Sequence, residues 1–315
     1  MTTSPSTTWQ DSTIEGEVPL AIRDYGGDGP DVLLIPGAGR TLVDWGLIAA
    51  LLRDRYRLVA VDLRGHGHSG DGVWEWDRIL ADLDTIVAAL DLDRPAVVGH
   101  SLGGMIAAMW GARHPDCPAA INVDGHGMGK PEQYDGIAPE VLEARMAELE
   151  EKTIAAQAAQ PKEIPESAMD AIIETQRKAA EALGIPPDML EEAIRRGLKI
   201  VDGVAHVRPT AETTAQLLTE VKAADMMALW AACLCPLLVF NCVRPDQARP
   251  DMPEWMPELM AAYRRGLTIH LTALAQQHPN LSLQVFDGDH ALIVNQHELV
   301  ADIILTYLDA HPGSS

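Results

Sequence analysis

The chain is poor in cysteine and in positive charge, and it has no long apolar run. Its 315 residues include four cysteines, which form neither a CxxC motif nor a disulfide framework. With 24 basic against 46 acidic residues, the formal net charge is −22, which would repel a phosphate backbone. No stretch of 18 apolar residues exists, which excludes a spanning helix. We therefore expect neither nucleic acid nor a membrane as partner.

The amino-terminal segment MTTSPSTTWQDST has no basic start and no apolar run, so it does not resemble a secretory signal. We expect residues 1–12 to form a disordered tail, and we expect a cytoplasmic protein with reduced cysteines. A chain of this length can bury a large core without disulfides or metal. Because the sequence shows neither a metal-ligand set nor a nucleotide loop, we expect no metal and no other cofactor.

Short apolar runs alternate with helix-length amphipathic segments in the first part of the chain. The strand-like runs lie at residues 32–35, 57–61, 96–98 and 119–123, and helical segments include 76–90 and 102–113. This alternation predicts an α/β fold, a mostly parallel twisted sheet with helices on both faces. The stretch 13–25 adds one antiparallel hairpin before it.

The pattern changes between residues 127 and 227, where strand-like runs are scarce. Helices are predicted there at 139–156, 166–183 and 188–198, and strand-like runs return at 236–240 and 281–286. We therefore expect a core formed by residues 13–126 and 228–311, with an inserted helical cap at 127–227. The cap should lie over the carboxyl edge of the sheet, where open α/β sheets bind ligands.

The motif Gly99-His100-Ser101-Leu102-Gly103 carries the strongest chemical signal. It follows a predicted strand and opens a predicted helix, which is the setting that a nucleophile elbow requires. A side chain at 99 or 103 would collide with so tight a turn, which explains glycine at both positions. The turn would present the Ser101 hydroxyl at the sheet edge, above the helix amino terminus.

A serine hydroxyl needs a base, and His290 is the best candidate. It stands in the sequence DGDH directly after the run LSLQVF, near the end of the chain, as the order nucleophile, acid, histidine requires. The histidines at 66, 68, 100 and 126 belong to other loops or to the elbow itself, and they are weaker candidates.

These segments together resemble the α/β-hydrolase superfamily. The resemblance rests on DVLLIPGAG, VAVDLRGHGHSG, VVGHSLGG and DGDH, and it extends from about residue 13 to 308. It implies an oxyanion hole formed by the backbone N–H groups of Leu102 and Ala38. Pro36 replaces the histidine of the family's common His-Gly pair, but a backbone donor tolerates that change.

The acid of the triad has two candidates. Most members of the superfamily place it after the later strand, which points to Asp246, although the loop NCVRPDQ lacks the usual glycine. A minority place it after the earlier strand, which points to Asp124 in the turn VDG. We favour Asp124 and keep Asp246 as the alternative.

The resemblance implies a serine hydrolase that cleaves a small to medium apolar carboxylic ester or lactone through an acyl-enzyme. Ser101 occupies the place of the carboxylate nucleophile of the family's dehalogenases and epoxide hydrolases, which argues against both activities. A thioesterase, an acyltransferase or a cofactor-free perhydrolase could use the same triad. A small-molecule receptor with a vestigial triad is the alternative from another class. The oligomeric state stays open.

Overall fold

A large twisted sheet forms the centre of the molecule. The structure is a computed structural model that describes residues 9–159, 163–182, 184–244 and 253–313. Its strands are β1 (Gln10–Ile14), β2 (Leu20–Gly26), β3 (Asp31–Ile35), β4 (Arg57–Val61), β5 (Ala96–His100), β6 (Ala120–Val123), β7 (Glu163–Pro165), β8 (Leu198–Val201), β9 (Val204–Val207), β10 (Leu237–Cys242) and β11 (Leu281–Phe286).

The helices surround this sheet and fill the segment between β6 and β10. They are α1 (Gly46–Leu52), α2 (Trp76–Ala89), α3 (Leu102–Arg113), α4 (Pro139–Ala159), α5 (Met169–Ala182), α6 (Pro187–Arg196), α7 (Ala211–Ala223), α8 (Met226–Ala232), α9 (Met256–Gln277), α10 (Leu292–Asn295) and α11 (His297–Ala310). In the described part of the chain, none of them is both long and apolar enough to cross a bilayer.

The eight-stranded sheet has the order β1-β2-β4-β3-β5-β6-β10-β11. From β4 to β11 all neighbouring strands pair in parallel, and β2 pairs antiparallel with both β1 and β4. This confirms the predicted α/β class and the mostly parallel sheet. Because β1 starts at Gln10, the expected disordered tail at 1–12 is wrong for its last three residues, which pair with β2.

Alternate residues of the central strands pack into two separate cores. In β3, Leu33 and Ile35 belong to one buried cluster, while Val32 and Leu34 belong to the other. Successive side chains of a strand point to opposite faces, so a strand covered on both faces must be apolar throughout. The carboxyl ends of the parallel strands meet at one edge, where the loops after β5, β6 and β11 lie close together.

The segment between β6 and β10 contains a small sheet that the sequence analysis did not predict. Strands β7, β9 and β8 pair antiparallel, in that order, beside the helices α4 to α8. Asp202 and Gly203 join β8 to β9 with φ values of 50° and 77°. An Asp-Gly pair with two positive φ angles is typical of a tight hairpin turn. The segment that we predicted as a helical cap therefore contains three short strands in addition to its helices.

Ion pairs attach this segment to the core. The Nε atom of Arg196 in α6 lies 2.7 Å from Oδ2 of Asp62, which follows β4, and both side chains are buried. The Asp62 carboxylate also accepts hydrogen bonds from the N–H groups of Leu42 and His68. Arg208 donates to the carbonyl oxygen of Gly67 at 2.6 Å. The inserted segment is thus held against the core by contacts with the loop after β4.

Candidate active site

Ser101 occupies the strained turn between β5 and α3. Its φ of 55° and ψ of −120° lie in a region that non-glycine residues rarely adopt. A Cβ on Gly99 would lie 1.9 Å from the carbonyl oxygen of Gly103, and a Cβ on Gly103 would lie 2.1 Å from that of Ile35. Both glycines are therefore required by close backbone contacts, which is the geometry that the sequence motif predicts.

His290 and Asp124 form a hydrogen-bonded chain with this serine. His290 follows β11, and its Nε2 atom lies 3.0 Å from Oγ of Ser101. Its Nδ1 atom lies 2.7 Å from Oδ2 of Asp124, which follows β6. The structure thus brings together three of the residues that the sequence analysis singled out. Asp246, the alternative acid, lies outside the described residues.

The surroundings of Asp124 keep its carboxylate charged. Its side chain is 6% exposed, and its Oδ1 atom accepts a hydrogen bond of 2.9 Å from the N–H of Cys242. Burial alone would raise the pKa of Asp124, but the hydrogen bond from His290, the nearby His126 and the Cys242 N–H outweigh burial. The pKa of Asp124 therefore lies well below its ordinary value. The carboxylate can accept a hydrogen bond from Nδ1–H of His290 at any working pH.

A buried asparagine holds the turn that carries Asp124, and the sequence analysis missed it. Oδ1 of Asn122 accepts from the N–H of Gly125 at 2.7 Å, and its Nδ2 donates to the Gly125 carbonyl oxygen at 2.7 Å. Asp124, between them, has a φ of 57°. The paired bonds offset the cost of that left-handed conformation. An asparagine two residues before an aspartate indicates such a turn only when that aspartate has already been selected as the acid.

The two residues expected to donate to an oxyanion lie beside the serine. Leu102 is the first residue of α3, so its N–H has no acceptor within the helix. Ala38 belongs to the loop after β3, and both residues line the same cavity as Ser101. Pro36, which replaces the family's histidine, belongs to the same loop.

This cavity has a volume of about 340 Å³ and a mostly apolar wall. Helix α7 contributes Leu217, Leu218 and Val221, and helix α9 contributes Met260, Tyr263 and Leu267. The sequence analysis did not predict α9, so its share of the wall was missed. The inserted segment and the core thus line the cavity together.

The wall also has polar side chains, among them Asn241 and Arg264. Nη1 of the buried Arg264 donates to the carbonyl oxygen of Cys242 at 2.6 Å. This bond fixes Cys242, whose N–H donates to Asp124.

Met260 lines the cavity, whereas Met169, Met226 and Met256 are buried elsewhere. Among the described side chains, no group of three or more His, Cys, Asp or Glu is arranged to hold a metal ion.

Comparison with known proteins agrees with this geometry. The model of the alpha/beta hydrolase family matches residues 32–303. The chain belongs to this family. Over 91 residues, it is 42% identical to a pimeloyl-[acyl-carrier protein] methyl ester esterase of Chromobacterium violaceum, which covers 29% of this chain and 34% of that protein. Over 86 residues, it is 35% identical to an N-formylmaleamate deformylase of Pseudomonas putida, which covers 26% and 32%.

The alpha/beta hydrolase fold recurs in solved structures that cover nearly the whole chain. An E-2-(acetamidomethylene)succinate hydrolase matches with a TM-score of 0.68 and 20% identity, covering 96% of this chain and all of that one. An enol-lactonase from Burkholderia xenovorans matches with a TM-score of 0.59 and 20% identity, covering 95% and 100%. The chain spans about a quarter to a third of the length of the curated relatives it matches.

Proposed function

We propose that the chain is a serine hydrolase that cleaves a small to medium, largely apolar carboxylic ester or lactone. The observation that carries the proposal is the continuous hydrogen-bonded chain from Ser101 through His290 to Asp124, at the wall of a mostly apolar cavity. A strained serine next to a neutral imidazole, itself oriented by a carboxylate, is the arrangement that activates a hydroxyl nucleophile.

The reaction follows from the positions of these atoms. Oγ of Ser101 attacks the acyl carbon while Nε2 of His290 takes its proton, and Asp124 stabilises the imidazolium. The N–H groups of Leu102 and Ala38 bind the oxyanion. The C–O bond then breaks, and the alkoxide leaves with the proton from His290. Water, deprotonated by Nε2 of His290, attacks the acyl carbon of the acyl-enzyme. The bond from this carbon to Oγ of Ser101 then breaks, Oγ takes the proton from His290, and the acid is released.

The cavity supports a substrate of limited size. A volume of about 340 Å³ is at the lower end of the range for small-molecule sites. Its wall offers aliphatic and aromatic surface from both the core and the segment 127–227, which we propose acts as a cap that excludes water from the acyl-enzyme. The names of the relatives include a methyl ester esterase, a deformylase and an enol-lactonase, which agrees with hydrolysis at an acyl carbon.

Replacing Ser101 tests this proposal. We expect Ser101→Ala to lower the turnover of a short-chain ester by about 10³-fold or more, because the remaining groups cannot form an acyl-enzyme. The same variant should fail to react with a fluorophosphonate probe that labels the native protein. Ser12→Ala, on the exposed strand β1, is the control and should label normally.

A panel of esters, lactones, thioesters and amides of graded acyl size then defines the bond that is cleaved. Full turnover by Ser101→Ala would overturn the proposal. A native protein that neither reacts with the probe nor hydrolyses any member of the panel, yet shows ligand-dependent thermal stabilisation, would indicate the receptor class instead.

A further inference from the structure

One buried side chain contacts three parts of the candidate site. His100 ends β5, directly before Ser101, and is 7% exposed. Its Nε2 atom lies 2.9 Å from the backbone carbonyl oxygen of His290. Because a carbonyl oxygen can only accept, Nε2 must carry the hydrogen. The neutral ring is thereby fixed in one tautomer, with a lone pair on Nδ1.

The ring of His100 also lies close to the loop after β3. A Cβ placed on Gly37 would lie 3.5 Å from Nδ1 of His100 and 3.3 Å from Cβ of Ser101. Gly37 precedes Ala38, one of the two expected oxyanion donors. The loop after β3, the elbow and the loop after β11 therefore all meet at this one imidazole.

The charge state of His100 suits this position. Burial, and secondly the neighbouring His290, lower the pKa of His100 to about 4. The two imidazole rings have centroids 4.8 Å apart. When His290 takes the proton of Ser101, a second cation at this distance would oppose the transfer, and a neutral His100 does not.

We propose that His100 is a positioning residue that holds the base of the triad in place. Its Nε2–H fixes the backbone of His290, so that the imidazole of His290 stays within reach of both Ser101 and Asp124. The side chain of His290 is 43% exposed, and fixing its backbone restricts the positions that its ring can take. The inference rests on the proposed serine hydrolase function.

Two substitutions separate positioning from simple filling of space. His100→Phe keeps a buried ring but loses the N–H donor. His100→Gln places an amide nitrogen near the position of Nε2 and keeps a donor for the His290 carbonyl. A residue that only fills space would be replaced better by the phenyl ring, whereas a positioning residue would be replaced better by the amide.

The experiment measures kcat and KM on one ester and the rate of fluorophosphonate labelling. We expect His100→Phe to lower kcat and the labelling rate by about 10- to 100-fold with KM changed less than about twofold, because small displacements of a catalytic group have effects of this order. His100→Gln should recover most of both rates. His66→Phe, at a buried histidine bonded to the Arg64 carbonyl, is the matched control and should keep native rates.

His100→Phe with native rates, or His100→Gln as impaired as His100→Phe, would overturn the inference. If His100→Phe does not fold, His100→Asn replaces it, since its shorter amide cannot reach the His290 carbonyl, and the same loss is expected. Failure of the proposed function itself looks different, because the native protein would then not react with the probe at all.

Discussion

At the scale of single residues, the triad candidates differ in how far their side chains are exposed to solvent. The side chain of Asp124 is 6% exposed and that of His290 is 43% exposed. The charged carboxylate is shielded from water, while the imidazole stays accessible to solvent. This division suits the two roles that we propose, in which Asp124 orients the ring and His290 transfers protons.

Replacing the acid tests its assignment. We expect Asp124→Asn to lower kcat by about 10³- to 10⁴-fold, because an amide can stabilise the wrong imidazole tautomer and cannot stabilise the imidazolium. Asp246→Asn is the matched control and should stay within about threefold of the native rate. A loss confined to Asp246→Asn would transfer the acid role to that residue.

The residues of the proposed triad could be selected from the sequence because each stands in a short local motif. Ser101 follows from a glycine-flanked turn, and His290 and Asp124 each follow a recognisable strand. Asn122 and His100 could not be assigned in the same way. Their partners are backbone atoms of other loops, and nothing in the sequence shows which carbonyl a buried donor will reach.

At the scale of secondary structure, helix α6 is the point where the inserted segment is anchored to the core. Its Arg196 pairs with the fully buried Asp62 at 2.7 Å and with Asp11 at 3.0 Å. Breaking a buried ion pair from one side leaves the other charge uncompensated, which is costly.

Arg196→Met should therefore lower the free energy of unfolding by about 3–5 kcal/mol, measured by urea denaturation. Arg195→Met is the matched control on the same helix. Arg195 is 44% exposed and pairs with Glu191 and Asp170 at the surface, so we expect a change below about 1 kcal/mol. Equal effects of the two substitutions would contradict the anchoring role of Arg196.

Secondary structure was predictable where patterns were long and regular. The segments 57–61, 102–113 and 281–286 match β4, α3 and β11 residue for residue. The short strands β8 and β9 were missed because four residues give little alternation to read, although the Asp202-Gly203 turn between them is a hairpin signal. Helix α9 was also missed, and it contributes Met260, Tyr263, Arg264 and Leu267 to the cavity wall.

At the scale of the whole molecule, several histidines are buried in neutral form. Burial lowers the pKa of His66, His100 and His126, in the case of His100 to about 4. An unfolded chain has histidines with an ordinary pKa near 6.5, so it binds more protons than the folded protein at mildly acidic pH.

Stability should therefore be complete above about pH 6.5 and decrease as the pH falls towards 4. For His100 alone we expect a loss of about 2 kcal/mol between pH 7.5 and pH 5. Urea denaturation at both pH values, in high salt to screen the net charge of −22, measures it. His100→Gln should show a decrease smaller by about that amount, and a decrease equal to that of the native protein would refute the assignment.

The position of Asp124 has a consequence for how this architecture can diversify. With the proposed nucleophile and acid after adjacent strands of the first half, both precede the inserted segment in the chain, and only His290 of the proposed triad follows it. Insertions, deletions or exchange of that segment can then remodel substrate selectivity while the serine–carboxylate pair stays intact.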